Sequence, residues 1–99
     1  MTKQQIYQTI ANYFKSQPIK KAWIFGSFAR GEETPLSDID VLVVYDDNAR
    51  VSLLKQASMI NELESLLNRS VDIVQEKLLQ NKVRNSVNQD RKLIYERAN

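Results

Sequence analysis

The stretch that decides the fold is Trp23–Tyr45, WIFGSFARGEETPLSDIDVLVVY. It holds both glycines of the chain, one of its two prolines, a serine directly after the first glycine, and two aspartates one residue apart. The apolar run Ala22–Phe25 reads as a buried strand. Gly26 ends it, and a glycine lets the chain turn sharply and lets a ligand approach main-chain N–H groups. Ser27 adds a hydroxyl and is expected to cap a short helix through Phe28–Arg30. A helix start beside a strand end favours an anion such as phosphate. Gly31 lets the chain leave that helix, and Glu32–Pro35 is a polar connector.

Asp38-Ile39-Asp40 opens the next apolar run, Val41–Val44. Positions i and i+2 share a face of a strand, so Asp38 and Asp40 project together, their Cα atoms roughly 6.5–7 Å apart. Two ionised carboxylates side by side repel and raise each other's pKa unless a cation sits between them. Oxygen-only ligands suit Mg²⁺, with substrate phosphates completing the shell. A Gly-Ser pair alone is usually a turn, and an Asp-X-Asp alone is usually solvated loop. The order strand, Gly-Ser, short helix, loop, Asp-Ile-Asp, buried strand gives every part a role in a phosphate and metal site.

These residues resemble a known signature. GSFARG at Gly26–Gly31 followed by SDIDVLV at Ser37–Val43 is similar to the motif of the DNA polymerase beta-like nucleotidyltransferase superfamily, and most similar to its smallest branch, the minimal nucleotidyltransferases. The tight part covers Ala22–Tyr45, and VDIV at Val71–Val74 is a weaker echo that supplies a third acidic residue. The resemblance implies that Asp38, Asp40 and Asp72 are catalytic and hold two Mg²⁺ ions. It implies that Gly26 and Ser27 bind the phosphate of a nucleotide, with ATP as donor, and that Arg30 belongs to the active-site surface. Minimal nucleotidyltransferases are commonly antitoxins paired with a HEPN-domain ribonuclease toxin. The resemblance therefore implies transfer of AMP to a tyrosine hydroxyl of such a partner, which inactivates it. Two other readings stand beside this one: an antitoxin that neutralises its partner by binding alone, and a nucleotidyltransferase acting on a small-molecule alcohol.

Outward from the motif, Thr2–Gln17 reads as a helix, with Ile6, Ile10, Tyr13 and Phe14 at helical spacing and Pro18 as its stop. Lys20 and Lys21 are expected in a solvated loop. Asp46 and Asp47 lie at the far end of the second strand, roughly 20 Å from Asp38 if it is straight, and are left out of the site. A helix from about Val51 to Asn68 is expected to bury Leu53, Ala57, Ile60, Leu63, Leu66 and Leu67. The third strand, Ser70–Gln75, puts Asp72 and Val74 on one face and Val71 and Ile73 on the other. Glu76–Val87 reads as a helix with Leu79, Val83 and Val87 spaced by four, Asn88-Gln89-Asp90 as a turn, and Lys92–Glu96 as a short last strand in which Tyr95 packs. Lys82, Arg84, Arg91 and Arg97 make the last third basic, read as a solvated face.

The expected fold is mixed α/β: a small mixed sheet with helices packed on one face, a nucleotidyltransferase-like core in one domain over residues 1–99. There is no histidine and no cysteine, which excludes disulfides, thiolate or imidazole metal sites and His-activated nucleophiles, and leaves carboxylates to carry the chemistry. The net charge of +2 is too small to argue for nucleic acid, so no direct DNA binding is expected. No run is long enough to span a membrane and no signal-like segment opens the chain, so the cytoplasm is the expected location.

Overall fold

Thr2 and Gln5 start the first helix by a reciprocal pair of bonds: Thr2 Oγ1 accepts from Gln5 N at 3.1 Å, and Gln5 Oε1 accepts from Thr2 N at 2.8 Å. This is a capping box, which satisfies two otherwise orphaned donors. The computed structural model describes residues 1–98, and this helix, α1, spans Lys3–Phe14. Its buried stripe is Ile6, Ile10 and Phe14. It ends short of Pro18, because the chain tightens into three-residue turns from Lys15 to Gln17.

The strands are β1 (Ile19–Phe25), β2 (Ile39–Tyr45), β3 (Val71–Gln75) and β4 (Lys92–Glu96), in the sheet order β3-β2-β1-β4. β1 runs antiparallel to β2 and to β4, and β2 runs parallel to β3. A parallel pair needs a crossover. Here it is α3, Leu53–Leu67, capped by Ser52 at the start and by Asn68 in the left-handed region (φ 52°) at the end. Lys20 and Lys21 sit inside β1 rather than in a loop, since apolar Ile19 begins the strand fully buried; they pair with Asp47 and Glu96.

One face of the sheet carries the core. Ile19, Ala22 and Ile24 of β1, Ile39, Val41 and Val43 of β2, and Val71 and Ile73 of β3 pack with α1 and with Met59, Leu63 and Leu67 of α3. Tyr95 packs edge-on against Phe14, with ring centroids 6.2 Å apart. The buried stripe of α3 is narrower than its leucine content suggests. Met59, Leu63 and Leu67 take it at four-residue spacing, Ile60 flanks it, and Leu53, Ala57 and Leu66 face outward. No helix among the described residues is long and apolar enough to cross a membrane.

The segment after β3 differs most from expectation. In place of one helix followed by a turn there is a 3₁₀ turn at Glu76–Leu78, an extended break at Leu79 and Gln80, and α4 at Asn81–Asp90. The break is held by Arg84, which donates to Leu79 O at 2.9 Å, and by Arg91, which donates to Glu76 Oε2 at 2.5 Å. Asn88, Gln89 and Asp90 stay helical because nothing among them breaks a helix; the chain leaves at Arg91, whose N–H closes on Val87 O. The basic residues here are mostly engaged. Arg91 also stacks on Trp23 at 4.6 Å, and Arg97 binds Asp46, Ile19 O and Gln17 O.

The two leucines of α3 offer a direct check. Leu63→Ala removes a fully buried side chain and is expected to cost about 2–5 kcal/mol. Leu66→Ala, at a side chain 52 % exposed, should cost less than about 1 kcal/mol. Urea unfolding of both variants checks this, and equal losses would contradict the packing described.

Candidate active site

The carboxylates are positioned by strand register. Phe25 at the end of β1 pairs with Asp40 of β2, and Asp40 pairs with Asp72 of β3. Because side chains alternate, Asp40 and Asp72 share the sheet face opposite Val41 and Ile73. Neighbouring strands lie about 4.8 Å apart, so Phe25, Asp40 and Asp72 form a row across three strands, and Gly26, one residue past the end of β1, lies against the Asp40 carboxylate. Asp38 is exposed and immediately precedes β2. Asp40 is half-buried, and its carboxyl is pushed above the ordinary 3.8, first by burial and then by the charges of Asp72 and Asp38, against which Arg30 pulls down.

Gly26 has φ 73° and ψ −151°, a conformation that L side chains rarely adopt. A Cβ there would also collide with Asp40 Oδ2. The turn and the close approach of the acid thus both require glycine. The short helix α2, Ser27–Arg30, follows, and Gly31 closes it in the left-handed region. Ser27 is the first helical residue and Gly26 holds the cap position without a side-chain bond. Serine capping is therefore not used here: the strand turns one residue earlier than a Ser cap requires. First-turn N–H groups have no intrahelical partners. Phe28 and Ala29 bury the other side of α2.

The loop from Gly31 to Asp38 is fastened by residues with no signal in the sequence. Thr34 N donates to Ser37 Oγ at 2.8 Å, and Arg69 donates to both Thr34 O and Ser37 O at 3.2 Å. The Arg69 guanidinium also lies over the Phe28 ring at 5.0 Å. Arg69 therefore ties the segment bearing Asp38 to α2. Arg30 binds Glu32 at 2.9 Å and Asp90 at 3.1 Å, so the end of α4 is linked to the glycine loop. Asp90 ends α4 rather than forming part of a turn, and its carboxylate faces Arg30.

A cavity of about 470 Å³ lies between the acid row and α4, lined by Gly26, Arg30, Asp40 and Asp72 on one side and by Leu79 and Val83 on the other. It brings together four of the six site residues expected from the sequence. Ser27 stands half-buried at the head of α2, and Asp38 lies at the edge; neither lines the cavity. A larger open groove of about 670 Å³ along α3 has Glu62 as its sole carboxylate and gathers no chemistry. Asp46 and Asp47 at the far end of β2 are engaged by Arg97 and Lys20.

Magnesium is the ion the motif implies. The donor set is carboxylate oxygen, the chemistry Mg²⁺ prefers, and the charges of Asp72 and Asp38, which add to burial in raising the Asp40 pKa, are of the kind a divalent cation would relieve. The residues fit in kind. Among the described residues, however, no three acidic side chains are gathered into a ready ion-holding group.

Comparison with known proteins agrees with this geometry. Residues 8–99 match the family model described as polymerase beta, nucleotidyltransferase. A Methanocaldococcus jannaschii protein provisionally named a protein adenylyltransferase is 40% identical over 78 residues, 78% of this chain and 76% of its own. A solved structure provisionally described as a minimal nucleotidyltransferase superposes with a TM-score of 0.75 at 30% identity, over 90% of this chain and 89% of that one. An MNT antitoxin solved in complex with the tri-AMPylated HEPN toxin of Shewanella oneidensis shares the fold, with a TM-score of 0.74 at 17% identity over 97% of this chain and 74% of that one.

The strain on Asp40 makes a pH prediction. Its folded pKa lies above the ordinary value, so the folded state holds the proton more tightly than the unfolded chain. Its contribution to stability is intact below the ordinary carboxylate range and is lost as pH rises through the folded pKa. Asp40→Asn removes that loss. In EDTA at pH 7 the variant should melt higher than the parent, with the gap closing as pH falls toward 3.8. A gap that widens on acidification would contradict the assignment.

Proposed function

Because the chain belongs to the polymerase beta nucleotidyltransferase family, we propose that it is a Mg²⁺-dependent protein adenylyltransferase that transfers AMP from ATP to a tyrosine hydroxyl of a HEPN-family toxin and so acts as its antitoxin. The observation that carries the reading is the pair Asp40 and Asp72, held level by strand register, with Gly26 against Asp40 and all three opening on one cavity. The naming of a similar protein as an adenylyltransferase and the AMPylated HEPN toxin in complex with a similarly folded antitoxin support the donor and the acceptor.

Each residue has a task in this reading. The N–H groups at the head of α2 and the Ser27 hydroxyl bind phosphate oxygens, and Gly26 lets the phosphate come close. Arg30 neutralises phosphate charge. Asp38, Asp40 and Asp72 would hold Mg²⁺, which when bound supplies charge neutralisation between carboxylates and phosphates. The acceptor oxygen attacks the α-phosphorus, a new P–O bond forms, the bond to the bridging oxygen of the β-phosphate breaks, and pyrophosphate leaves. The tyrosine proton passes to a carboxylate, which in this reading is Asp72. Added AMP puts a bulky anion where RNA phosphates would bind the toxin, and like charge and occlusion then exclude RNA.

Residues 1–99 act as one catalytic domain in this reading, with the acceptor brought by the partner's own surface. The partner is incubated with the protein, ATP and Mg²⁺ and weighed. Each transfer should add about 329 Da, the mass of ATP less pyrophosphate. Asp40→Asn should fold and lose transfer by at least about a hundredfold. An unmodified yet fully inhibited partner would reject transfer and leave neutralisation by binding alone. Independently, Mg²⁺ with ATP should raise the melting temperature more than either alone, because phosphates and carboxylates share the ion; equal stabilisation by ATP in EDTA would place the nucleotide elsewhere.

A further inference from the structure

α4 contradicts the ordinary use of an amphipathic stripe. Leu79 and Val83 are spaced by four, yet Leu79 falls in the extended break before α4, no residue of α4 is buried and Val83 is 40 % exposed. With Val74, which shares the Asp72 face of β3, they line the cavity that holds Asp40 and Asp72. Apolar side chains thus look across an open space at two carboxylates. That arrangement suits an occupant that is apolar along one side and polar at one end.

The row across the sheet says where such an occupant enters. Phosphoryl transfer requires attacking and leaving oxygens roughly in line. With the phosphates at Gly26, on the β1 side of Asp40, the attacking oxygen approaches from the β3 side, past Asp72. Val74, two residues along β3 from Asp72, lines the cavity there with Leu79 and Val83, and Lys82, Ser86 and Asp90 of α4 are the polar residues beside them. We propose that this apolar wall is the acceptor subsite, which takes the ring of an aromatic hydroxyl residue while its oxygen reaches Asp72 and Asp40. This deepens the adenylyltransferase reading and rests on it. A phenol buries its ring there and presents its oxygen to the acids, since tyrosine has one apolar body and one polar tip. Serine or threonine brings no such surface. The wall selects tyrosine by burial rather than by any bond to the hydroxyl.

The test uses Val83, whose exposure means that replacing it does not open the core. Val83→Ser should raise the KM for the protein acceptor about tenfold, the usual effect of removing a little apolar contact from a substrate pocket, with kcat within about twofold. The dissociation constant for ATP with Mg²⁺ and the melting temperature should stay unchanged, and Val83→Ile should keep the parental KM. Replacing the acceptor tyrosine by serine should cost the parent enzyme far more than it costs Val83→Ser. An unchanged acceptor KM in Val83→Ser overturns the proposal. So does a weakened ATP dissociation constant with the acceptor KM intact, which would assign the wall to the nucleobase. A parent enzyme that leaves the partner unmodified defeats the adenylyltransferase reading itself, an outcome distinct from either.

Discussion

Asp40 carries its carboxylate on an inner strand, level with Asp72 on one side and pressed against a residue without a Cβ on the other. Burial and two neighbouring acids disfavour its charge. What holds it there is the apolar face beneath. Ile39, Val41 and Val43 of β2 and Val71 and Ile73 of β3 are all buried. A slip of one residue in either strand would move these side chains out of the core face and turn an aspartate into it. Charge repulsion among the acids is small against that. The core thus fixes the chemistry without touching it, and Gly26 is the point at which the backbone yields to it.

The periphery is fastened differently. The segment before Asp38 hangs on Arg69, α4 on Arg30–Asp90, and the break before α4 on Arg91–Glu76. Arg30 is 42 % exposed at its side chain and Glu32 65 %, and water screens pairs in such settings so that they contribute little. The acid row is therefore built on the most stable part of the molecule, and the parts that must meet a nucleotide and an acceptor are held by contacts that give way at small cost. Arg30 illustrates the consequence: its pairing with Glu32 and Asp90 keeps an arginine oriented at the glycine loop, and a phosphate entering there competes for the same donors.

The sequence was legible where one constraint dominates. The shared face of Asp40 and Asp72 follows from strand alternation, and the turn at Gly26 from a glycine at the end of an apolar run. The last strand lies at the expected Lys92–Glu96, while the helix expected from about Val51 to Asn68 is trimmed by its caps Ser52 and Asn68 to Leu53–Leu67. Pairings across distance were not legible. Arg69 reads as a turn residue and Asp90 as another, because an exposed arginine or aspartate carries no mark of its partner. Ser27 was misplaced by one position, since both Gly and Ser occupy the cap site readily. Leu66 and Met59 show the limit of periodicity: more apolar residues lie on α3 than its contact with the sheet can cover, and sequence alone does not say which are left out.

The apolar stripe of α4 is a different case. A stripe spaced by four has the same pattern whether it packs in a core or walls a cavity, so periodicity cannot separate the two. Quantity can. α4 is NKVRNSVNQD, with two valines as its only apolar side chains. Burying a valine gives about 1.5–3 kcal/mol, while ordering each residue of backbone costs about 1–2 kcal/mol. Two valines cannot hold ten residues to a sheet by burial alone. A helix that poor in apolar surface must be held by its ends, and it is: Arg91 and Asp90 at one end, Arg84 closing the break at the other. What remains of its apolar surface is left free to face the carboxylates.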